Sequence, residues 1–137
     1  MAISKIAVLG AGHGGQASAG SLALSGFEVN LFELPEFKQG IEPILKRGGI
    51  DVKRTSAREF AKLNIVTTDI EKALKDVDLV VVTVPAYGHQ KMIGLCIPHL
   101  EDGQRILVHP GHPGGALESY VVLKQWKVED KVEIGET

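Results

Sequence analysis

The sequence has little to cross-link, little to stack and no long apolar run. Its single cysteine, Cys96, allows no internal disulfide, which fits a reducing compartment. Aromatic residues make up only 5% of the chain against 44% hydrophobic overall, so aliphatic side chains and alanine must fill the interior. Such an interior suits a layered α/β fold. Neither sign of charge dominates: 15 basic against 17 acidic residues leave a net −2, which excludes the electrostatic footprint of a nucleic-acid binder. No apolar stretch approaches the ~20 residues that span a bilayer. The N-terminus enters a strand almost at once, and no signal peptide is visible. The expectation is one cytoplasmic domain over residues 1–137, without membrane or nucleic-acid partners.

Glycine, by contrast, is plentiful, with 16 in the chain. Its most informative cluster is Gly10-Ala11-Gly12-His13-Gly14-Gly15. An apolar run, Lys5 to Leu9, precedes it and reads as a buried parallel strand. A stretch of small residues, Gln16 to Ser25, follows and reads as a helix. Strand, glycine turn and helix together open a dinucleotide-binding unit. Gly10 permits the tight turn, and Gly12 lets backbone come against a pyrophosphate. Gly15 lets the helix lie close on its strand. The leading N–H groups of that helix then face the anion, with His13 and Gly14 beside it. Phe27 to Glu33 reads as the second strand. Glu33 stands at the ~20-residue separation where a carboxylate accepts hydrogen bonds from the adenosine ribose. A 2′-phosphate beside Glu33 would be repelled, and Leu34-Pro35-Glu36-Phe37 adds a second acid and no arginine. The expected cofactor is therefore NAD(H) over NADP(H).

Pro35 opens a short helix, and Ile41, Ile44 and Leu45 have helical spacing up to Gly48-Gly49. Ile50 to Arg54 reads as a short strand, and polar Thr55 to Glu59 as a connection. Ile65 to Thr68 is expected to be the third strand of the sheet. Thr68 or Asp69 caps a helix over Ile70 to Lys75, with Glu71 and Lys75 paired along it. The valine run Asp78 to Val84 is a strand covered on both faces, ended by Pro85. A helix then reaches to about His99. Arg105 to Val108 is the fifth strand, Ala116 to Trp126 the last helix, and Lys131 to Glu136 the sixth strand. Right-handed crossovers make this a Rossmann-type doubly wound parallel sheet with strand order 3-2-1-4-5-6. Ligands in such sheets sit at the switch point beyond the strand ends. The expected cofactor-binding residues are Gly10, Gly12, His13, Gly14, Gly15, Glu33, Val84, Pro85, Ala86, His109 and Pro110.

A complete active site does not follow from these residues. His89, His109 and His112 fall on loops or helix starts and read either as proton relays or as plain polar loop residues. His109 and His112 make a poor metal site without a neighbouring carboxylate or cysteine, and no metal is expected. Cys96 reads as a buried structural thiol. No general base with an orienting partner emerges, so no catalytic residue is assigned.

Several stretches together resemble the N-terminal domain of the octopine/nopaline (opine) dehydrogenase family. They are Val8 to Gly15, Asp78 to Ala86, Pro110-Gly111 with Gly114-Gly115-Ala116-Leu117-Glu118, and Val132 to Thr137. The glycine turn is shared with ketopantoate reductase and glycerol-3-phosphate dehydrogenase relatives. The Gly-Gly-Ala-Leu-Glu and terminal Gly-Glu-Thr stretches are more specific. The resemblance implies an NAD(P)H-dependent reductive condensation of an amino acid with a 2-oxo acid. It also implies that the catalytic histidine and the substrate-holding groups belong to a second, helical domain absent from this chain. Two other readings stay open: a stand-alone NAD(H)-binding module without catalysis, and an αβ module for another ligand such as a mononucleotide. Apolar surface left where a second domain packs points to a homodimer through the sixth strand or the last helix.

Overall fold

Strands with apolar side chains on both faces need helices on both sides. The computed structural model, which describes residues 2–109 and 115–137, meets that need. The elements are β1 (Lys5–Leu9), α1 (His13–Leu24), β2 (Glu28–Phe32), α2 (Lys38–Arg47), β3 (Gly49–Lys53), β4 (Arg58–Lys62), β5 (Ile65–Thr67), α3 (Ile70–Leu74), β6 (Leu79–Val82), α4 (His89–Cys96), β7 (Arg105–Val108), α5 (Gly115–Gln125) and β8 (Glu133–Glu136). Six strands form one sheet in the order β5-β2-β1-β6-β7-β8, every pair parallel. Counted along the chain without β3 and β4, this is the expected 3-2-1-4-5-6 order.

Alternate residues along each strand feed opposite layers. Ala7 and Leu9 of β1, with Val80 and Val82 of β6 and Ile106 of β7, join the core beneath α3, α4 and α5. Ile6, Val8, Val29, Leu31 and Val81 face the other way, with Ala19 of α1 and Ile41 and Ile44 of α2. Cys96 lies in the first layer, and burial pushes its thiol up to about 12. Ile41 and Ile44 are buried as expected, whereas Leu45 is exposed. Asp69 is the cap of α3, its carboxylate accepting from the Glu71 N–H. Lys75 is the C-cap of that helix, its N–H still donating to the Glu71 carbonyl before the backbone turns extended. Two buried amides tie down the end of α3 and the turn after it: Asn30 donates to the Ala73 carbonyl, and Gln104 to those of Leu74 and Val77.

The stretch expected to be a connection is half strand. Arg58–Lys62 pairs antiparallel with β3, so β3 and β4 form a separate hairpin. It lies across α1, where a Cβ on Gly20 would stand 2.6 Å from Val52 Cγ2. Within β4 only Ala61 is buried, so the apolar alternation that marks a strand is missing. Arg47 completes this corner by pairing with Asp51 and lying over the Phe60 ring.

On the α1 side, the described residues leave part of the surface of β6 and β7 open. Leu79, Val81 and Leu107 floor a groove of about 480 Å³, walled by Ala17, Ser21 and Leu22 of α1. Leu22, beside this groove, is half-buried and packs against the core on that side. Among the described residues, no helix is long and apolar enough to cross a membrane.

Asp78 fastens the start of β1 to the start of β6. Its Oδ2 accepts from the N–H groups of Lys5 and Ser4 at 3.0 and 2.9 Å. Those bonds, the Lys5 N–H foremost, hold the carboxyl below its usual range. A depressed folded value stabilises the fold above the unfolded pKa of ~3.9, and the contribution disappears as pH falls through the folded value. Asp78→Asn is expected to cost about 1 kcal/mol at pH 7, with the gap to wild type closing in acid. Urea unfolding of both proteins across pH checks this.

Candidate functional site

The switch point lies where the carboxyl ends of β1 and β6 meet, and the glycine turn sits on it. Gly10 has φ +106°, and a Cβ there would stand 2.9 Å from Thr83 Oγ1. A Cβ on Gly15 would drive into the Gly10 carbonyl, so α1 presses on the end of β1 with nothing between. Gly12 and Gly14 are different: a Cβ on either meets nothing within 4 Å. Glycine is therefore demanded by the fold at positions 10 and 15. At 12 and 14 the chain keeps open space on the face that a ligand would approach. Gly12 is the N-cap of α1, no side chain caps that end, and the first turn holds no acid. Leading N–H groups of such a helix carry partial positive charge without an internal partner, the requirement for holding an anion. His13 and Gly14 are exposed at this end, and Gly15 is buried.

Glu33 reaches the turn from the end of β2. Its Oε2 accepts from the Ala11 N–H at 2.8 Å, and its Oε1 from the Leu34 N–H at 2.8 Å. Each carboxylate oxygen thus keeps one backbone donor and a second lone pair. The side chain is fixed beside the turn rather than turned to solvent. On the other flank, Thr83 follows β6. Its N–H donates to the Leu9 carbonyl, and its hydroxyl lies 2.9 and 3.0 Å from the carbonyls of Leu9 and Gly10. Thr83 was not among the expected site residues. Its signal is a lone hydroxyl ending the valine run one residue before Val84.

Glu33 and Thr83 flank one cavity of about 510 Å³, lined also by Gly10, Gly12, Val84 and Pro85. Ala86 stands just past Pro85, opening a single turn of 3₁₀-helix that leads into α4. Phe37 and Tyr87 stand exposed on opposite lips. Across the mouth, Lys91 of α4 donates to Glu36 at 2.7 Å, and this contact holds the Glu36 carboxyl below its usual range.

The remaining expected residues divide. His89 is fully buried, its Nε2 3.1 Å from the Val84 carbonyl, so it supports the Val84-Pro85 loop from beneath and is no rim residue. Its neighbours Gly88, Gln90 and Lys91 give no hint of that depth, because the start of α5 packs over it at Gly115. His109 is exposed and lines the groove on the α1 side, its Nδ1 2.8 Å from Thr137 Oγ1. Pro110, His112 and the loop between them lie outside the described residues. The last two motifs of the sequence meet in space: Glu136 accepts from the Ala116 N–H at 2.8 Å, at the start of α5. Among the described residues, no group of three or more His, Cys, Asp or Glu side chains is placed to hold a metal ion.

The family model of ketopantoate reductase PanE/ApbA matches residues 6–109, from the middle of β1 to the end of β7. The chain belongs to that family. Its sequence is 37% identical over 131 residues to an opine dehydrogenase of Arthrobacter sp. (strain 1C), covering 96% of this chain and 36% of that protein. It is 31% identical over 130 residues to an opine dehydrogenase of Haliotis discus hannai, covering 87% of this chain and 32% of that protein. Among solved structures, octopine dehydrogenase with NADH and pyruvate superposes with a TM-score of 0.83 at 23% identity, covering 96% of this chain and 35% of that one. The chain therefore spans about a third of the length of the curated relatives it matches.

The two classes of glycine can be separated by experiment. Gly15→Ala is expected to lose more than ~2 kcal/mol of stability, because the new methyl overlaps backbone that cannot yield. Gly12→Ala is expected to cost no more than ~1 kcal/mol, the N-cap preference for glycine over alanine, since the new methyl meets nothing. Denaturant midpoints measured on both variants check the contrast.

Proposed function

We propose that this chain is the dinucleotide-binding part of an opine-type dehydrogenase and that its ligand is NAD(H). The observation that carries the reading is the Glu33 carboxylate, bonded to the Ala11 N–H beside an uncapped helix end and the open face of Gly12. In this reading Gly12, His13, Gly14 and Gly15 surround the pyrophosphate, and their N–H groups hold its charge. Glu33 takes the adenosine ribose hydroxyls on its free lone pairs. Thr83 keeps the glycine turn in place, and Val84, Pro85 and Ala86 border the nicotinamide ribose. His109 borders the nicotinamide side, and Pro110, expected there too, lies outside the described residues. When bound, the cofactor would supply the hydride that, with a proton, reduces to a secondary amine the imine left when an amino-acid amine and a 2-oxo-acid carbonyl condense with loss of water.

None of the chain's described side chains is assigned as a catalytic acid or base. His89 is used inside the fold and Cys96 is buried as a neutral thiol. The catalytic groups are proposed to belong to a second domain, as they do in the resemblance. NAD(H) is favoured over NADP(H) because Glu33 and Glu36 both line the cavity beside the ribose position. The alternative, a stand-alone NAD(H)-binding module, shares the site and differs only in what surrounds it.

Titration of the chain with NADH tests the reading. Binding with 1:1 stoichiometry is expected, weakened at least ~10-fold by Glu33→Gln and by Gly12→Val. A chain that ignores NADH but binds a mononucleotide overturns it in favour of the third reading. Turnover of NADH by this chain with pyruvate and amino acids would place the catalytic groups within it and overturn the division between two domains.

A homodimer through the last helix or the sixth strand is proposed as well. Leu117, Tyr120, Val121 and Trp126 of α5 and its end are exposed, and β8 is an edge strand. Light scattering at rising concentration is expected to show a mass above the monomer's 14.7 kDa.

A further inference from the structure

The cavity that would take adenosine has one cation among its lining residues, Lys91, and that cation is held by Glu36. This pair joins the loop after β2 to the first turns of α4, so it spans the mouth of the cavity from wall to wall. Glu33 stands farther in and cannot swing aside, since both its oxygens are bonded to backbone N–H groups. Glu36 is held more loosely, by Lys91 and by its own backbone N–H. The Glu36 and Lys91 side chains are 50% and 61% exposed, and the contact between them is a single bond at 2.7 Å. A lysine on a flexible four-carbon stem is a competent partner for phosphate when nothing else neutralises it.

We propose that Glu36 is a specificity residue of the cofactor site and that it acts by occupying Lys91. This goes deeper into the NAD(H) reading above and rests on it. In the native chain the cavity mouth offers a 2′-phosphate one fixed carboxylate and a lysine already neutralised. The phosphate carries about two negative charges at neutral pH and finds no free cation among the described residues that line the cavity. The unphosphorylated ribose has no such requirement and is accepted. Without the Glu36 charge, the same lysine is released toward the cavity and the discrimination falls. Glu33 alone then opposes the phosphate, and Lys91 offsets it. Discrimination against NADP(H) is thus divided between an acid that repels and an acid that keeps a base engaged.

The test uses the whole chain and titrates NADH and NADPH at low and at high salt. Both residues are well exposed, so Glu36→Gln and Lys91→Met are expected to fold as wild type does. Glu36→Gln is expected to bind NADPH about ten-fold more tightly than wild type, with NADH affinity changed less than two-fold. The gain is expected to vanish in Glu36→Gln/Lys91→Met and to shrink at high salt. NADPH affinity unchanged by Glu36→Gln, in a protein whose wild type binds NADH, overturns this proposal and leaves the NAD(H) reading intact. A gain that survives removal of Lys91 also overturns it, because the lysine is then not the agent. A wild type that binds neither nucleotide overturns the NAD(H) reading and this proposal together.

Discussion

No atom stands between the first turn of α1 and the end of β1. That contact, Gly15 against the Gly10 carbonyl, decides where the helix begins and which way its leading N–H groups point. Everything at the candidate site is referenced to it. Thr83 fastens the same turn to β6 from one side, and Glu33 fastens it to β2 from the other. The turn is therefore held by three neighbouring strands, and its shape is a property of the sheet rather than of a free loop. A site with fixed donors has little ordering left to do when a ligand arrives, and this is the condition for electrostatic preorganisation.

Much of this arrangement was legible along the chain because each part carries its own local signature. Two-faced strands read as unbroken apolar runs, and Asp78 to Val84 is the clearest of them. The spacing of Gly10, Gly12 and Gly15 encodes a turn, an open approach and a close packing, and the structure assigns those positions in that way. Glu33 was recognisable from its distance to the turn. The resemblance to opine dehydrogenases rested on stretches far apart in sequence, and two of them meet through Glu136 and Ala116.

Other parts were hidden because their meaning depends on partners distant in sequence. The β4 strand presents a single buried residue, Ala61, so nothing in its own pattern distinguishes it from a polar connection. His89 sits where a helix starts, which reads as a surface position until α5 is laid over it. Lys91 belongs to α4, more than fifty residues from Glu36, and only the fold brings them to one mouth. Thr83 offers one hydroxyl to backbone carbonyls, a role that leaves no periodic trace.

The first helix is confined on two sides. Gly15 and Ala19 face the sheet, and Gly20 meets the β3–β4 hairpin at Val52. At Gly15 and at Gly20 there is no slack on either flank. Any lineage of such proteins that changes its nucleotide preference must leave this rod untouched and draw its variation from the ends of other elements. The loop after β2 and the start of α4 are the places where side chains have room to differ, so diversity in ligand choice should be concentrated there while the rod stays monotonous.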